Sequence, residues 1–249
     1  MIYFIGAGSG DPELLTIKGK KLIDSADIIV YAGSLVNKEI FSDSSAQLFN
    51  SAEMTLEEVI EVLEDAEKKD LKAVRVHTGD PSIYGAIREQ IDILESKGIE
   101  CRVVPGVSSF LSACATLKRE YTLPEISQTV ILTRLEGRTP VPEREKLENL
   151  AVHRASMVIF LSVSMIEEVV KRLATSYPLA TPVAVVSRAS WSDEKVIRGT
   201  LMDIAEKTLT ENITKTALIL VGDFLGDEYA LSKLYDKHFT HEYRKGTEE

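Results

Sequence analysis

Gly6, Gly8 and Gly10 follow the apolar run at residues 2–5. Their spacing is that of a turn between strand and helix, which can bring backbone N–H groups onto a phosphate. A dinucleotide loop of the form G-x-G-x-x-G would put its third glycine where this chain has Asp11. Asp11 is a strong helix N-cap and Pro12 suits a first helical position. Together with Glu13 they place negative charge where a pyrophosphate would have to sit. The acidic residue that holds a ribose hydroxyl about twenty residues further on is also not where it should be, and the region after the second strand reads YAGSLVN. The same device returns in HTGDPSIYG (77–85), and a third glycine turn, PGVSS, follows another apolar run. Converging loops of this kind expose backbone groups and carboxylates without a fixed positive charge. That suits a neutral or cationic ligand carrying a sugar and a base better than a polyphosphate. Asp80 can serve as a polar contact to such a ligand, as a helix cap, or as both.

These loops need strands behind them. Residues 1–5, 27–31, 72–77 and 101–105 read as strands, with helices expected over 11–24, after the Thr55/Glu58 capping pair, along Ile83, Ile87, Ile91 and Leu94, and over 106–117. Alternation of this kind predicts βαβ units and a mainly parallel sheet. Around residues 120–128 the pattern resets. Residues 129–133 and 156–161 read as strands, Ser164 and Glu167 as the cap of a helix with Ile166, Val169, Val170 and Leu173 on its apolar face, and PVAVVS, KVIRG and TALILV as further strands. The last two are expected to form an antiparallel element of a mixed sheet. The fold class expected is α/β with two domains, 1–122 and 123–249, the second ending in a polar tail from about 226. The ligand is expected between them at strand C-termini.

Composition narrows the function. The chain has 249 residues, 44% of them hydrophobic and 27% charged, which allows two cores and argues against disorder. A formal net charge of −10 disfavours nucleic acid and anionic membranes as partners. Cys101 and Cys114 form no C-x-x-C pattern, so two reduced thiols of a cytoplasmic protein are expected. Met1 runs straight into an apolar strand, so no signal peptide is expected, and no apolar run approaches the roughly 18 residues of a membrane helix. His238 and His241 have no carboxylate or cysteine partner at ligand spacing and read as surface residues, so no metal site is expected.

GAGSGDPELLT, YAGSLV, VRVHTGDPSIYG, VVPGVSS and ILTRLEGRTPVPE together resemble the tetrapyrrole methylases of cobalamin biosynthesis, from Met1 to about Gly222. HTGDP and TRLEGRTPVPE resemble the branch that methylates C-11 of precorrin-4 or cobalt-precorrin-4. The resemblance implies S-adenosyl-L-methionine as cofactor, with S-adenosyl-L-homocysteine as product, held in a cleft between two α/β domains. It also implies an anionic tetrapyrrole substrate and a homodimer. By motif, the cofactor contacts are Ser9, Thr78, Gly79, Asp80, Ile83, Ser108, Ser109, Leu161 and Ala189. The substrate's acetates and propionates call for a basic rim, for which Arg88, Arg134, Arg138 and Arg188 are the candidates, with His77 beside the site. Tyr84 and Tyr121 could lean on the macrocycle. Ser9 departs from the proline common in this loop. Ala32 stands where uroporphyrinogen methylating relatives have an aspartate proposed as a base, and Asn50 lies in the region of their lysine, which implies a different tetrapyrrole substrate and no acid–base pair. The alternatives are another tetrapyrrole specificity, a nicotinamide-dependent oxidoreductase, and a binder without catalytic activity.

Overall fold

The structure is a computed structural model in which residues 1–247 are described; residues 248–249, the end of the expected second domain, lie outside them. The chain forms two compact units. The first is Met1–Ala113 with Arg188–Glu194, and the second is Cys114–Ser187 with the chain from Lys195 onward. The division falls inside a helix, upstream of the 120–128 stretch.

In the first unit the elements run β1 (Ile2–Gly6), α1 (Ile17–Asp24), β2 (Ile28–Tyr31), β3 (Gln47–Asn50), α2 (Leu56–Lys68), β4 (Ala73–His77), α3 (Ile87–Ser96), β5 (Cys101–Val104) and α4 (Ser109–Leu117). The five strands lie in the order β3-β2-β4-β1-β5, every pair parallel. A parallel sheet buries both faces, so its inner strands β1, β2 and β4 alternate between two cores and not between core and water. Ile2, Phe4, Ile28 and Val30 face α2 and α3, and Ile5, Ile29, Tyr31, Val74 and Val76 face the other side with Ile23 of α1. The expected capping box of α2 is complete, Thr55 accepting from Glu58 N–H and Glu58 accepting from Thr55 N–H.

Three helix starts in this unit differ from expectation, that of α4 falling at Ser109 and not at residue 106. Asp11 caps only a short 3-10 turn, Pro12–Leu14. Leu15 is extended, and α1 starts anew with Thr16 as its cap. α3 begins at Ile87, so Ile83 lies outside it, and Ala86 precedes it with φ +49°.

The second unit contains β6 (Val130–Arg134), α5 (Leu147–Ala151), β7 (Ser156–Phe160), α6 (Ile166–Leu173), β8 (Pro182–Ser187), β9 (Lys195–Thr200), α7 (Ile204–Thr210) and β10 (Ala217–Val221). The strand order is β6-β7-β10-β8-β9. β6 and β7 are parallel and the other pairs antiparallel, so β9 and β10 do not pair with each other but flank β8. One core joins Leu147, Met157, Ile159, Ile166, Val169, Leu173, Val185 and Ile219. The expected Ser164/Glu167 cap is not made. α6 grows out of a 3-10 turn, Val163–Met165, without a side-chain cap, and Ser162 takes the ordering role, bonding Phe160 O and Leu135 N–H. Among the described residues no helix is long and apolar enough to cross a membrane.

Candidate functional site

β4, β1 and β5 are neighbours in one parallel sheet, so their C-terminal ends release three loops side by side. The loops pack backbone to backbone. A Cβ on Gly6 would come within 2.5 Å of Gly79 O and 2.7 Å of Gly106 Cα, and one on Gly106 within 2.2 Å of Gly79 O. Gly8 and Gly79 pair in both directions, Gly79 N–H donating to Gly8 O at 2.8 Å and Gly8 N–H to Gly79 O at 3.3 Å. Side chains are excluded here because the loops leave no room for them.

Asp80 ties the second loop to the third. Its Oδ1 accepts from Ser82 N–H at 2.8 Å and its Oδ2 from Gly106 N–H at 2.9 Å. Both oxygens therefore have backbone partners, which makes Asp80 a turn cap and a cross-link between loops. Gly79 borders Ser108, a Cβ there meeting Ser108 Cα at 3.5 Å. Thr78 is exposed, Ile83 and Ser109 are half-buried and Ser108 is buried. No lysine or arginine occurs in residues 5–11, 78–85 or 105–112. The outward polar groups of these loops are thus backbone groups, hydroxyls and the Asp11 carboxylate, with no cation among them.

A further segment of this unit, Arg188–Glu194, lies on the first loop. Ser190 Oγ is 2.8 Å from Ser9 Oγ and accepts from Asp11 N–H, and Trp191 Nε1 donates to Ser9 O at 2.8 Å. Ala189, between Arg188 and Ser190, is buried. A depression of about 630 Å³ opens here, with Asp11, Asn37, Glu39, Arg188 and Trp191 in its wall. Another, of about 520 Å³, lies in the second unit against Ile126, Thr129, Leu150 and Arg154, and none of the expected site residues line it.

The structure thus gathers Ser9, Gly79, Asp80, Ser108 and Ala189 in one unit around one set of loops. Ser9 is buried, its hydroxyl 2.6 Å from Ser112 Oγ as well as facing Ser190. His77, expected beside the substrate, has its side chain buried in the sheet, stacked on Phe4 with ring centroids 5.9 Å apart. Its Nε2 is buried without a hydrogen-bond partner. Burial, and secondarily the charge of Arg75, lowers its pKa from 6.5 to about 3. Arg75, on the same strand face, is itself buried and bonds Gln90 Oε1 and the carbonyls of Val30 and Val76. Arg88 is an exposed charge of α3 paired with Asp92. Arg188 pairs with Asp193 at 2.6 Å and stacks on Trp191, 4.0 Å from the ring centroid.

In the second unit, Arg134 folds its own loop, donating to Thr139 O at 3.1 Å and Pro140 O at 2.7 Å. Arg138 is exposed on that loop. Leu161 is 68% exposed and has φ +55°, a conformation rare for a non-glycine residue and a mark of a constrained turn. Ser162 ties this turn to the Arg134 loop through Leu135 N–H. Tyr84 is exposed with φ +54°, whereas Tyr121 is buried against Phe224. Among the described residues, no group of three or more His, Cys, Asp and Glu could hold a metal ion. Ser112, Ser190 and Asn37 also border these loops, and no sequence motif marks them. Their short polar side chains give no signal until loops distant in sequence are brought together.

Fold and site define a class: a two-unit α/β protein with glycine-lined loops at the C-terminal edge of a parallel sheet. The chain belongs to the Tetrapyrrole (Corrin/Porphyrin) Methylases, whose family model matches residues 1–205. It is 60% identical over 248 residues to a Cobalt-precorrin-4 C(11)-methyltransferase of Methanocaldococcus jannaschii, covering 98% of this chain and 96% of that one. It is 48% identical over 247 residues to a Precorrin-4 C(11)-methyltransferase of Pseudomonas aeruginosa, covering 98% and 99%. The solved structure of a cobalamin biosynthetic enzyme, the cobalt precorrin-4 methyltransferase CbiF, matches with a TM-score of 0.89 at 44% identity, over 91% of this chain and 96% of that one.

Proposed function

We propose that the protein methylates C-11 of precorrin-4 or cobalt-precorrin-4, with S-adenosyl-L-methionine as the methyl donor. The observation that carries this reading is the near full-length match to enzymes of that name, on a site whose chemistry fits the cofactor. The fit lies in the donor set. Residues 5–11, 78–85 and 105–112 carry no cationic side chain, and the start of α1 is already capped by Thr16, so the loops themselves offer a polyphosphate no counter-charge. Backbone groups and the hydroxyls of Thr78, Ser108 and Ser109 suit an adenosine and an amino acid. Gly79, Ile83, Leu161 and Ala189 supply backbone or apolar surface. When bound, the cofactor supplies a methyl group activated by a sulfonium.

The chain's own part is orientation. The cross-linked loops hold a fixed backbone frame, and a reacting carbon aligned about 3–3.5 Å from the methyl group gains several kcal/mol from proximity alone. No acid–base pair is assigned. Arg138 and the loop held by Arg134 face the substrate's carboxylates in this reading, with Arg188 as a further cation. Arg134 acts there by shaping its loop, since its guanidinium already holds two loop carbonyls. A cytoplasmic homodimer completes the reading, and light scattering checks its stoichiometry. Calorimetric titration tests the cofactor: S-adenosyl-L-homocysteine binds and NADH does not, and the opposite pattern would move the protein to the oxidoreductases.

A further inference from the structure

We propose that Ser9, Ser190 and Trp191 form a clasp that sets the backbone at Ala189, and that Ser9 and Ser190 are positioning residues for the cofactor. The inference rests on reading this site as one for S-adenosyl-L-methionine. Arg188 and Ser190, on either side of buried Ala189, have φ +51° and +67°. Two non-glycine residues in the left-handed region persist only where their surroundings hold them there. Those surroundings can be named. Ser190 N–H donates to Glu194 Oε2 at 2.7 Å. Ser190 Oγ accepts from Asp11 N–H at 3.1 Å and lies 2.8 Å from Ser9 Oγ. Trp191 Nε1 donates to Ser9 O at 2.8 Å, and its ring covers Gly10 so closely that a Cβ there would fall 2.1 Å from Cδ1. Arg188 closes the turn from outside, stacked on the same indole and paired with Asp193.

The clasp runs on into α4. Ser9 Oγ is 2.6 Å from Ser112 Oγ, so three hydroxyls, Ser190, Ser9 and Ser112, form a chain from the Ala189 turn through the glycine loop to the helix behind the third loop. Ser9 is only 6% exposed and its hydroxyl has two protein partners. It therefore acts on a ligand through the backbone it fixes and not through its own oxygen. This revises the role expected for Ser9 from contact to support.

The test compares wild type, Ser9→Ala and Ser190→Gly. Glycine at 190 keeps the left-handed backbone and removes only the hydroxyl. Trp191, the chain's only tryptophan, reports the seating of the clasp by its emission. The expected result is S-adenosyl-L-homocysteine binding weakened about tenfold in both variants, the scale of one lost hydrogen bond. Trp191 emission should be red-shifted, the KM for the cofactor raised and the KM for the tetrapyrrole unchanged. Combining the two substitutions should cost less than the product of the single effects, because both break the shared contact between Ser9 and Ser190. Affinities within about twofold of wild type overturn the clasp, whatever the emission does. A parallel rise in both KM values also overturns it, as that marks general loosening. If wild type itself binds no S-adenosyl-L-homocysteine, the cofactor reading falls and takes the clasp with it. Binding by wild type with unaffected variants removes the clasp alone.

Discussion

The first unit contains the tripeptide Gly-Asp-Pro twice, at residues 10–12 and 79–81, each after a strand of the same sheet. In sequence both read as helix starts. In the structure neither leads directly into an α-helix. After Asp11 a single 3-10 turn gives way to an extended Leu15, and after Asp80 the chain passes Tyr84 and Ala86, both with positive φ, before α3 begins. The two aspartates share one bond, to the N–H two residues on. They differ in the second. Asp80 reaches Gly106 with its other oxygen, whereas at Asp11 it is the backbone N–H that is used, donating to Ser190. The same three residues thus close a turn in both places, and the partner beyond the turn decides what that turn holds together.

Four measurements probe this contrast and the elements that carry the two turns. The largest effect is expected at Gly106. Alanine there drives a Cβ into Gly79 O at 2.2 Å, backbone against backbone with no side chain to yield. The cost should be at or above the upper end of overpacking, about 3 kcal/mol by chemical denaturation, with loss of cofactor binding. A cost under about 1 kcal/mol would mean the loops are not locked together.

Next come the aspartates themselves. Asp80→Ala removes a cap and strands the Gly106 N–H, for about 1.5–4 kcal/mol, while Asp11→Ala removes only a partly exposed cap, for about 0.5–1 kcal/mol. Equal costs would erase the distinction between the two turns.

The strand leading into the second turn gives a pH test. His77 has a native pKa of about 3 against an ordinary 6.5, because burial and Arg75 disfavour its charge. As pH falls below 6.5 the unfolded chain takes up a proton that the native chain refuses. The stability held above 6.5 is therefore lost on acidification, with a slope of up to about 1.4 kcal/mol per pH unit. Denaturation midpoints between pH 6.5 and 5 should show the slope in wild type and a flatter profile in His77→Phe. Identical profiles would mean that His77 is not held neutral.

The smallest effect is at Arg88. Its pair with Asp92 is exposed to water, where such pairs add little, so Arg88→Ala should leave the denaturation midpoint almost unchanged. A larger loss would show a contact beyond that pair.

What was legible in the sequence follows from range. The parallel sheet could be read from apolar runs alternating with 3.6-residue periodicity, and α2 from Thr55 and Glu58, because those signals are local. The glycines of the three loops were legible as turns, but their reason was not. Gly6, Gly79 and Gly106 exclude side chains from one another across about a hundred residues of chain. His77 shows the same limit. A histidine at the end of a strand beside a glycine turn reads as a site residue, and only the pleat, which puts it on the same face as Arg75 and against Phe4, turns it inward. Ser164 and Glu167 had the spacing of a cap, yet the turn before α6 is ordered by Ser162 from inside the core. The order of the second sheet was out of reach, since nothing in KVIRG or TALILV says that β8 lies between them.

The most direct test of the account is transfer of a 13C-labelled methyl group. Incubating the protein with methyl-labelled S-adenosyl-L-methionine and precorrin-4, metal-free in one arm and cobalt-loaded in the other, should give one new labelled methyl carbon at C-11 in at least one arm, and the faster arm identifies the substrate form. Label on another ring carbon, or no label in the tetrapyrrole of either arm, would contradict it.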